Sequence, residues 1–147
     1  MSDLKLLALD TEDLEVISAH TQDAIVRVGD MGYVKAERRF AFLMNRFAWE
    51  AEGGSPRKGE RRRAAMHFDY VNSAQVAGVN LAAEDGVLEL LSITFDPGEA
   101  PAGTVVIAFA GGGTVRLAVE CIDARLKDLG AAWSARARPA HDLADKA

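Results

Sequence analysis

Several features that mark particular classes of protein are scarce or missing in this 147-residue chain. Its one cysteine, Cys121, cannot form an internal disulfide or supply a cysteine-rich zinc site. No apolar run approaches the roughly 18 residues that a membrane span needs. The short apolar stretch at residues 4–9 is interrupted by Lys5 and followed by acidic residues, unlike a secretory signal. We therefore expect a cytoplasmic protein that does not enter a membrane.

Glycine and proline, at 13 and 4 residues, are near average usage, so collagen-like and low-complexity classes are excluded. The apolar share of 49% is enough for a core that needs no metal or disulfide. The length suits a single domain, which we expect over residues 1–130. Residues 131–147 are predicted to be a C-terminal tail, either ordered or partly disordered. Trp133 is the main side chain that could anchor this tail to the domain.

The order of the predicted elements is that of an α+β protein. Asp10 or Thr11 can serve as the N-cap of a helix that extends to His20, in which Leu14 and Ile17 form a narrow apolar stripe. From residue 24 onward, about seven β-branched or alternating runs separated by turn signals predict antiparallel strands in hairpin order. In the run that begins at Arg61, side chains alternate between an apolar face and a face that carries His67.

Residues 120–129 are predicted to be a C-terminal capping helix. Ile122, Leu126 and Leu129 follow a helical spacing, and Gly130 is placed to end the helix. Seven antiparallel strands closed by such a helix is the element order of a small pleckstrin-homology-like barrel or sandwich. An open α+β sheet covered by the two helices is the competing arrangement.

Four segments together suggest a relationship to known proteins: residues 14–20, 39–47, 95–101 and 119–126. This combination resembles a family of bacterial proteins of about this length that is classified only as a domain of unknown function. The resemblance covers the chain from about Leu4 to about Arg138. It implies a cytoplasmic, single-domain bacterial protein, and it transfers no activity, cofactor or site residue.

Signatures of catalysis are missing from the sequence. There is no phosphate-binding loop, nucleophile elbow, zinc-protease motif or paired-cysteine motif. No cofactor and no metal are expected, because the three histidines are scattered. His67 and Asp69 share one face of a predicted strand, and a carboxylate there could orient the imidazole. A solvated polar pair explains the same spacing, so the enzyme hypothesis requires the two side chains to face a concave cleft.

Positive charge is concentrated in one part of the chain. Residues 35–63 carry nine basic and four acidic side chains, a net charge of +5, which leaves −10 for the rest of a chain whose total is −5. The densest cluster is Arg57, Lys58, Arg61, Arg62 and Arg63. Guanidinium groups match phosphate oxygens, so the cluster is a candidate anion or RNA site. A solvated loop that pairs with acidic regions is the alternative, since an acidic chain is a poor general binder of polyanions.

Two tryptophans near predicted loops, Trp49 and Trp133, are candidates for an interface, where aromatic side chains are enriched. The leading hypothesis is therefore a non-enzymatic domain that binds a protein or peptide partner, or a second copy of itself, through a sheet surface or edge. Anion or RNA binding through the basic cluster is the first alternative. An enzyme that uses His67 and Asp69 is the second.

Overall fold

The computed structural model describes residues 4–47 and 61–129. Ten strands and one α-helix follow one another in this part of the chain. They are β1 (Lys5–Ala8), α1 (Thr11–Thr21), β2 (Ile25–Arg27), β3 (Met31–Val34), β4 (Arg39–Phe47), β5 (Arg61–Phe68), β6 (Val71–Ala77), β7 (Val87–Pro97), β8 (Gly103–Phe109), β9 (Thr114–Val119) and β10 (Ala124–Asp128). Short 3-10 turns at Val28–Asp30 and Lys35–Glu37 flank β3.

All of the strand pairs are antiparallel, and they form one ten-stranded sheet. The strand order is β1-β10-β5-β4-β2-β7-β8-β9-β6, with β3 attached to β4. Within the described residues β1 and β6 lie at the two ends of this order and do not pair with each other. The predicted α+β class fits this sheet with its one helix, whereas a closed pleckstrin-homology-like barrel is not confirmed.

Buried residues from α1 and from most of the strands belong to one hydrophobic core cluster. The buried residues recur at every second position, as a strand with one face on the core requires. Phe42 and Met66, which are neighbours on β4 and β5, belong to the same buried cluster as Ile107 on β8 and Leu117 on β9. The predicted apolar face of β5 is confirmed, because Ala64, Met66 and Phe68 are all buried.

The predicted N-terminal helix is confirmed as α1. The side chain of Asp10 accepts a hydrogen bond from the backbone N–H of Asp13 at 2.8 Å, which satisfies one of the free donors of the first turn. Leu14 and Ile17 are buried against the core, so the narrow apolar stripe docks the helix as expected. This helix is too short and too polar to cross a membrane, and no other described helix could.

The predicted C-terminal helix at residues 120–129 is wrong, because the segment forms β10. Ala124, Leu126 and Asp128 are buried, whereas Arg125 and Lys127 are exposed, which is the period of a strand. The strand lies between β1 and β5 and pairs with both. Pairing on two sides supplies hydrogen bonds and packing that outweigh the helical spacing of the apolar residues. Gly130, the predicted helix end, and the predicted tail at 131–147 lie outside the described residues.

A buried ion pair fixes β10 against β4. Arg46 is fully buried, and its Nε and Nη2 atoms donate to the two carboxylate oxygens of Asp128 at 2.9 and 2.8 Å. Arg46 also donates to the carbonyl oxygen of Phe47, and Asp128 Oδ2 accepts from the backbone N–H of Leu4 at 3.1 Å. One bidentate pair therefore ties together β4, β10 and the residue that precedes β1.

Candidate functional site

The outer face of β1 and β10, which points away from the core, carries a row of cations. Lys5 lies directly opposite Lys127, and Leu7 lies directly opposite Arg125. The backbone N–H of Asp128 donates to the carbonyl of Leu4, so the Lys5–Lys127 pair occupies a non-hydrogen-bonded position of the ladder. Side chains are closest at such positions, with Cα atoms roughly 4.5 Å apart. The two lysines are therefore held side by side.

The next strand, β5, adds small and half-buried side chains to this face. Ala65 lies opposite Lys127, and His67 lies opposite Arg125. The short Ala65 side chain leaves a depression of about 400 Å³ between the strands. Its lining consists of Lys5, Leu6, Leu7, Ala65, His67, Arg125, Leu126 and Lys127. We call this surface the cationic face. Its depression combines an apolar floor with three cations, and none of the described residues in its lining is acidic.

The cations of this face have few partners within the described residues. Neither Lys5 nor Lys127 makes an ion pair or a side-chain hydrogen bond there. Arg125 Nε lies 3.6 Å from Asp123 Oδ1, which is longer than a hydrogen bond. Like charges placed directly opposite each other destabilise a sheet by about 0.2–1 kcal/mol. An anion in the depression would remove that repulsion.

A mixed charged cluster borders the cationic face at the end of β5. Arg39 Nε donates to Asp69 Oδ1 at 2.7 Å, and His67 Nδ1 lies 3.6 Å from Asp69 Oδ2. The buried atoms His67 Nδ1 and Asp123 Oδ1 have no hydrogen-bond partner in the described part of the chain. Burial lowers the pKa of His67 below its usual value, and the positive charges of Arg39 and Arg125 lower it further. The nearby carboxylates of Asp69 and Asp123 oppose this shift only partly, so His67 is neutral at neutral pH.

A second depression, of about 330 Å³, lies beside this cluster. Its lining consists of Glu37, Arg38, Arg39, Asp69, Tyr70, Asp123 and Arg125. Arg38 and Tyr70 both have a left-handed backbone, and the Arg38 guanidinium lies 5.9 Å from the centre of the Tyr70 ring. Three basic and three acidic side chains balance in this lining, so it has no preference for one sign of charge.

Comparison with known protein families gives a match over most of the chain. The family model described as a protein of unknown function (DUF2948) matches residues 4–141. The chain belongs to this family. The resemblance to a domain of unknown function is thereby confirmed, and the family description names no activity. Neither the comparison with curated proteins nor that with solved structures finds a match.

The strand geometry of this family member divides the described part of the predicted basic cluster. Arg61 and Arg63 lie on the outer face of β5, whereas Arg62 lies on the opposite face, across from Arg46. The Arg61 guanidinium lies 4.0 Å from the centre of the Phe47 ring. Alternation along a strand therefore prevents the three consecutive arginines from forming one surface.

Arg63 is engaged with a buried carboxylate. Its Nη2 atom lies 3.6 Å from Asp30 Oδ2, and its Nη1 atom donates to Asn45 Oδ1 at 3.3 Å. Asp30 also accepts from Arg27 at 3.1 Å. Among the predicted ligand-binding residues, Arg57 and Lys58 lie outside the described residues, as do both interface candidates, Trp49 and Trp133.

His67 on β5 and Asp69 just after it are the pair that the enzyme hypothesis uses, and they line different depressions. His67 lines the depression of the cationic face, and Asp69 lines the neighbouring charge-balanced one. Burial raises the pKa of the Cys121 thiol, and the carboxylates of Asp123 and Glu120 raise it further, which disfavours the reactive thiolate form. In residues 4–47 and 61–129, no group of three or more His, Cys, Asp and Glu side chains could hold a metal ion.

The cations that carry the site were missed by reasoning from the sequence. Lys5 was seen only as a charge that interrupts an apolar stretch, and Lys127 was assigned to a helix. The alternation from Ala124 to Asp128, with Arg125 and Lys127 at every second position, is the signal that could have revealed them. It is visible only when the segment is interpreted as a strand.

Proposed function

We propose that this protein is a cytoplasmic binding domain, and not an enzyme, whose cationic face takes up an anionic group on a partly apolar ligand. One observation carries the proposal: Lys5, Arg125 and Lys127 border an apolar depression and lack a hydrogen-bonded carboxylate within the described residues. This is the anion-binding hypothesis, with the site moved from the predicted Arg57–Arg63 cluster to β1 and β10.

Charge and burial both support this function. The aliphatic parts of Lys5 and Lys127 and the side chains of Leu7 and Ala65 offer apolar contact, while the ammonium groups stay at the rim. Hydrogen bonds to charged groups contribute about 1.5–3 kcal/mol, more than neutral ones. A ligand with a carboxylate or phosphate beside an apolar group fits this arrangement better than a free inorganic ion does.

Backbone amide NMR with the full-length protein tests the proposal, and octanoate serves as the probe. We expect saturable shifts at Lys5, His67 and Lys127, with an affinity that falls as salt is added. Lys127→Gln should weaken binding about 10-fold, in keeping with the loss of a charged hydrogen bond. Arg116→Gln is the matched control, because Arg116 is an exposed cation of β9 with an uncharged residue on each side of it in the sheet.

The outcomes separate clearly. Equal weakening by the two variants would mean that octanoate responds only to overall charge, and the proposed site would be rejected. Absence of saturable shifts at low salt would also reject it. Binding of inorganic phosphate that matches that of octanoate would show that the apolar floor contributes nothing.

A further inference from the structure

The unpaired edge of β1 lies next to the cationic face. In the β1–β10 ladder, Leu4 and Asp128 form a hydrogen-bonded pair, so Lys5 and Leu7 direct their N–H and C=O groups away from β10. No strand in the described part of the chain pairs with this side of β1. An edge with unpaired backbone groups is a template for another extended chain. The side chains of Lys5 and Leu7 stay on the cationic face, and Leu7 is 48% exposed.

We propose that the ligand is an acidic peptide segment of a partner protein, which adds to β1 as an antiparallel strand. This inference rests on the proposed function and names the chemistry of its ligand. Backbone hydrogen bonds to Lys5 and Leu7 hold the peptide, and its side chains select it. In an antiparallel pair, the peptide residue opposite Leu7 comes two positions before the residue opposite Lys5. The recognised pattern is therefore an apolar residue, any residue, and then Asp or Glu.

Charge complementarity selects the acidic residue. A carboxylate opposite Lys5 comes within reach of the long side chain of Lys127 on the next strand, and Arg125 lies two residues away on the same face. The apolar residue packs on the exposed Leu7. The peptide thus replaces the like-charge contact between Lys5 and Lys127 with attraction, and it covers an exposed leucine at the same time.

A peptide fits this surface better than a nucleic acid does. Among residues 4–47 and 61–129, the lining of the depression contains no Phe, Tyr or Trp on which bases could stack. The chain as a whole carries a net charge of −5, which opposes the approach of a polyanion. A nucleic acid would also leave the backbone donors and acceptors of the β1 edge unused.

Hydrogen exchange of the full-length protein gives a direct test. The probe is the capped peptide acetyl-Thr-Val-Thr-Glu-Thr-amide. In the free protein we expect fast exchange of the Lys5 and Leu7 amides, since both point to the unpaired edge. A saturating amount of the peptide should slow both amides about 10-fold or more, because each becomes part of a ladder. Octanoate should leave their exchange unchanged, since an anion alone pairs with no backbone group.

Modified peptides supply matched controls. Replacement of Glu by Gln should weaken binding about 10-fold, and Lys5→Gln in the protein about 5-fold, in keeping with cross-strand charge pairs. N-methylation of the Glu nitrogen should abolish binding, because that N–H points to β1. N-methylation of the central Thr should change it little, because that N–H points away.

Each result has a defined meaning. Octanoate binding without peptide binding, or equal effects of the two N-methyl groups, overturns strand addition and leaves the anion site in place. Failure of both probes overturns both proposals. Slow exchange of Lys5 and Leu7 in the free protein shows an occupied edge and rejects the inference, as does preferential binding of a ten-residue oligo-dT.

Discussion

Replacing the buried pair of Arg46 and Asp128 one partner at a time should destabilise the fold far more than replacing both. Arg46 is 0% exposed and the Asp128 side chain 2%, so replacing one of them takes this ion-pair partner away from a charge that is almost fully removed from water. Loss of one partner of such a pair costs about 3–5 kcal/mol. We therefore expect this loss for Arg46→Met and for Asp128→Leu.

The double variant Arg46→Met/Asp128→Leu should lose only about 1–2 kcal/mol. It removes both charges of the pair, and its cost includes the two hydrogen bonds to the Phe47 carbonyl and from the Leu4 amide, at about 1 kcal/mol each. The sum of the single effects is about 6–10 kcal/mol, so the deviation from additivity is several kcal/mol. The free energy of unfolding is measured by urea titration followed by circular dichroism at about 25 °C.

The ion pair of Arg39 and Asp69 provides the control. Its nitrogen–oxygen distance, 2.7 Å, is shorter than those of the buried pair, but its side chains are 43% and 20% exposed. Exposed pairs contribute about 0–1 kcal/mol, so Arg39→Met should cost no more than that. If distance rather than burial decides the effect, Arg39→Met will be the more damaging change. A larger loss of stability for Arg39→Met than for Arg46→Met would refute the reasoning. So would a double variant whose loss in free energy of unfolding equals the sum of the two single losses.

Three further predictions concern charge, pH and packing. Lys127→Glu replaces a like-charge contact with Lys5 by an attractive one. It should raise the free energy of unfolding, measured by urea titration at low salt, by about 0.2–1 kcal/mol. No gain, or the same gain in 1 M salt, would contradict this. The pKa of His67 in the folded protein is lower than its ordinary value of 6.5. As the pH falls through 6.5, the unfolded protein therefore takes up a proton that the folded protein does not. Stability contributed by the neutral imidazole is present above about pH 6.5 and is lost below it, and His67→Asn should lose less stability than the parent between about pH 7.5 and 5. A methyl group on Gly103 would lie 2.6 Å from the backbone oxygen of Asp96, whereas one on Gly98 makes ordinary contacts. Gly103→Ala should therefore lower the free energy of unfolding by about 1–3 kcal/mol, and Gly98→Ala should lower it by much less. Thermal unfolding of the two variants measures the difference.

Local patterns predicted the elements that local interactions determine. Asp10 caps α1 through a bond to Asp13, three residues away, and Leu14 and Ile17 lie on one face by helical periodicity alone. The turn between β8 and β9 contains Gly111 and Gly112, whose positive φ values of 89° and 99° glycine adopts without strain. Such features depend on a few neighbouring residues, which the sequence shows directly.

Long-range pairing explains what the sequence concealed. Asp128 looks like a surface residue, yet it is buried because Arg46 reaches it from 82 residues away. Without that partner, the apolar spacing at Ile122 and Leu126 favours a helix. The wrong prediction of a helix at residues 120–129 hid the candidate site as well, because Lys127 lies opposite Lys5 only when its segment is a strand. A surface built from strands that are distant in sequence has no compact sequence motif.

The pairing of β1 with β10 has a consequence for synthesis of the protein. Leu4 and Asp128, which bond across this ladder, are 124 residues apart, so the ladder closes a loop that includes nearly all of the described chain. Because the ribosome releases a chain from its N-terminal side, β1 emerges before β10 and must wait for it before the two can pair. Until β10 emerges, Lys5 has neither Lys127 nor Arg125 beside it. The cationic face therefore forms only after β10 has left the ribosome.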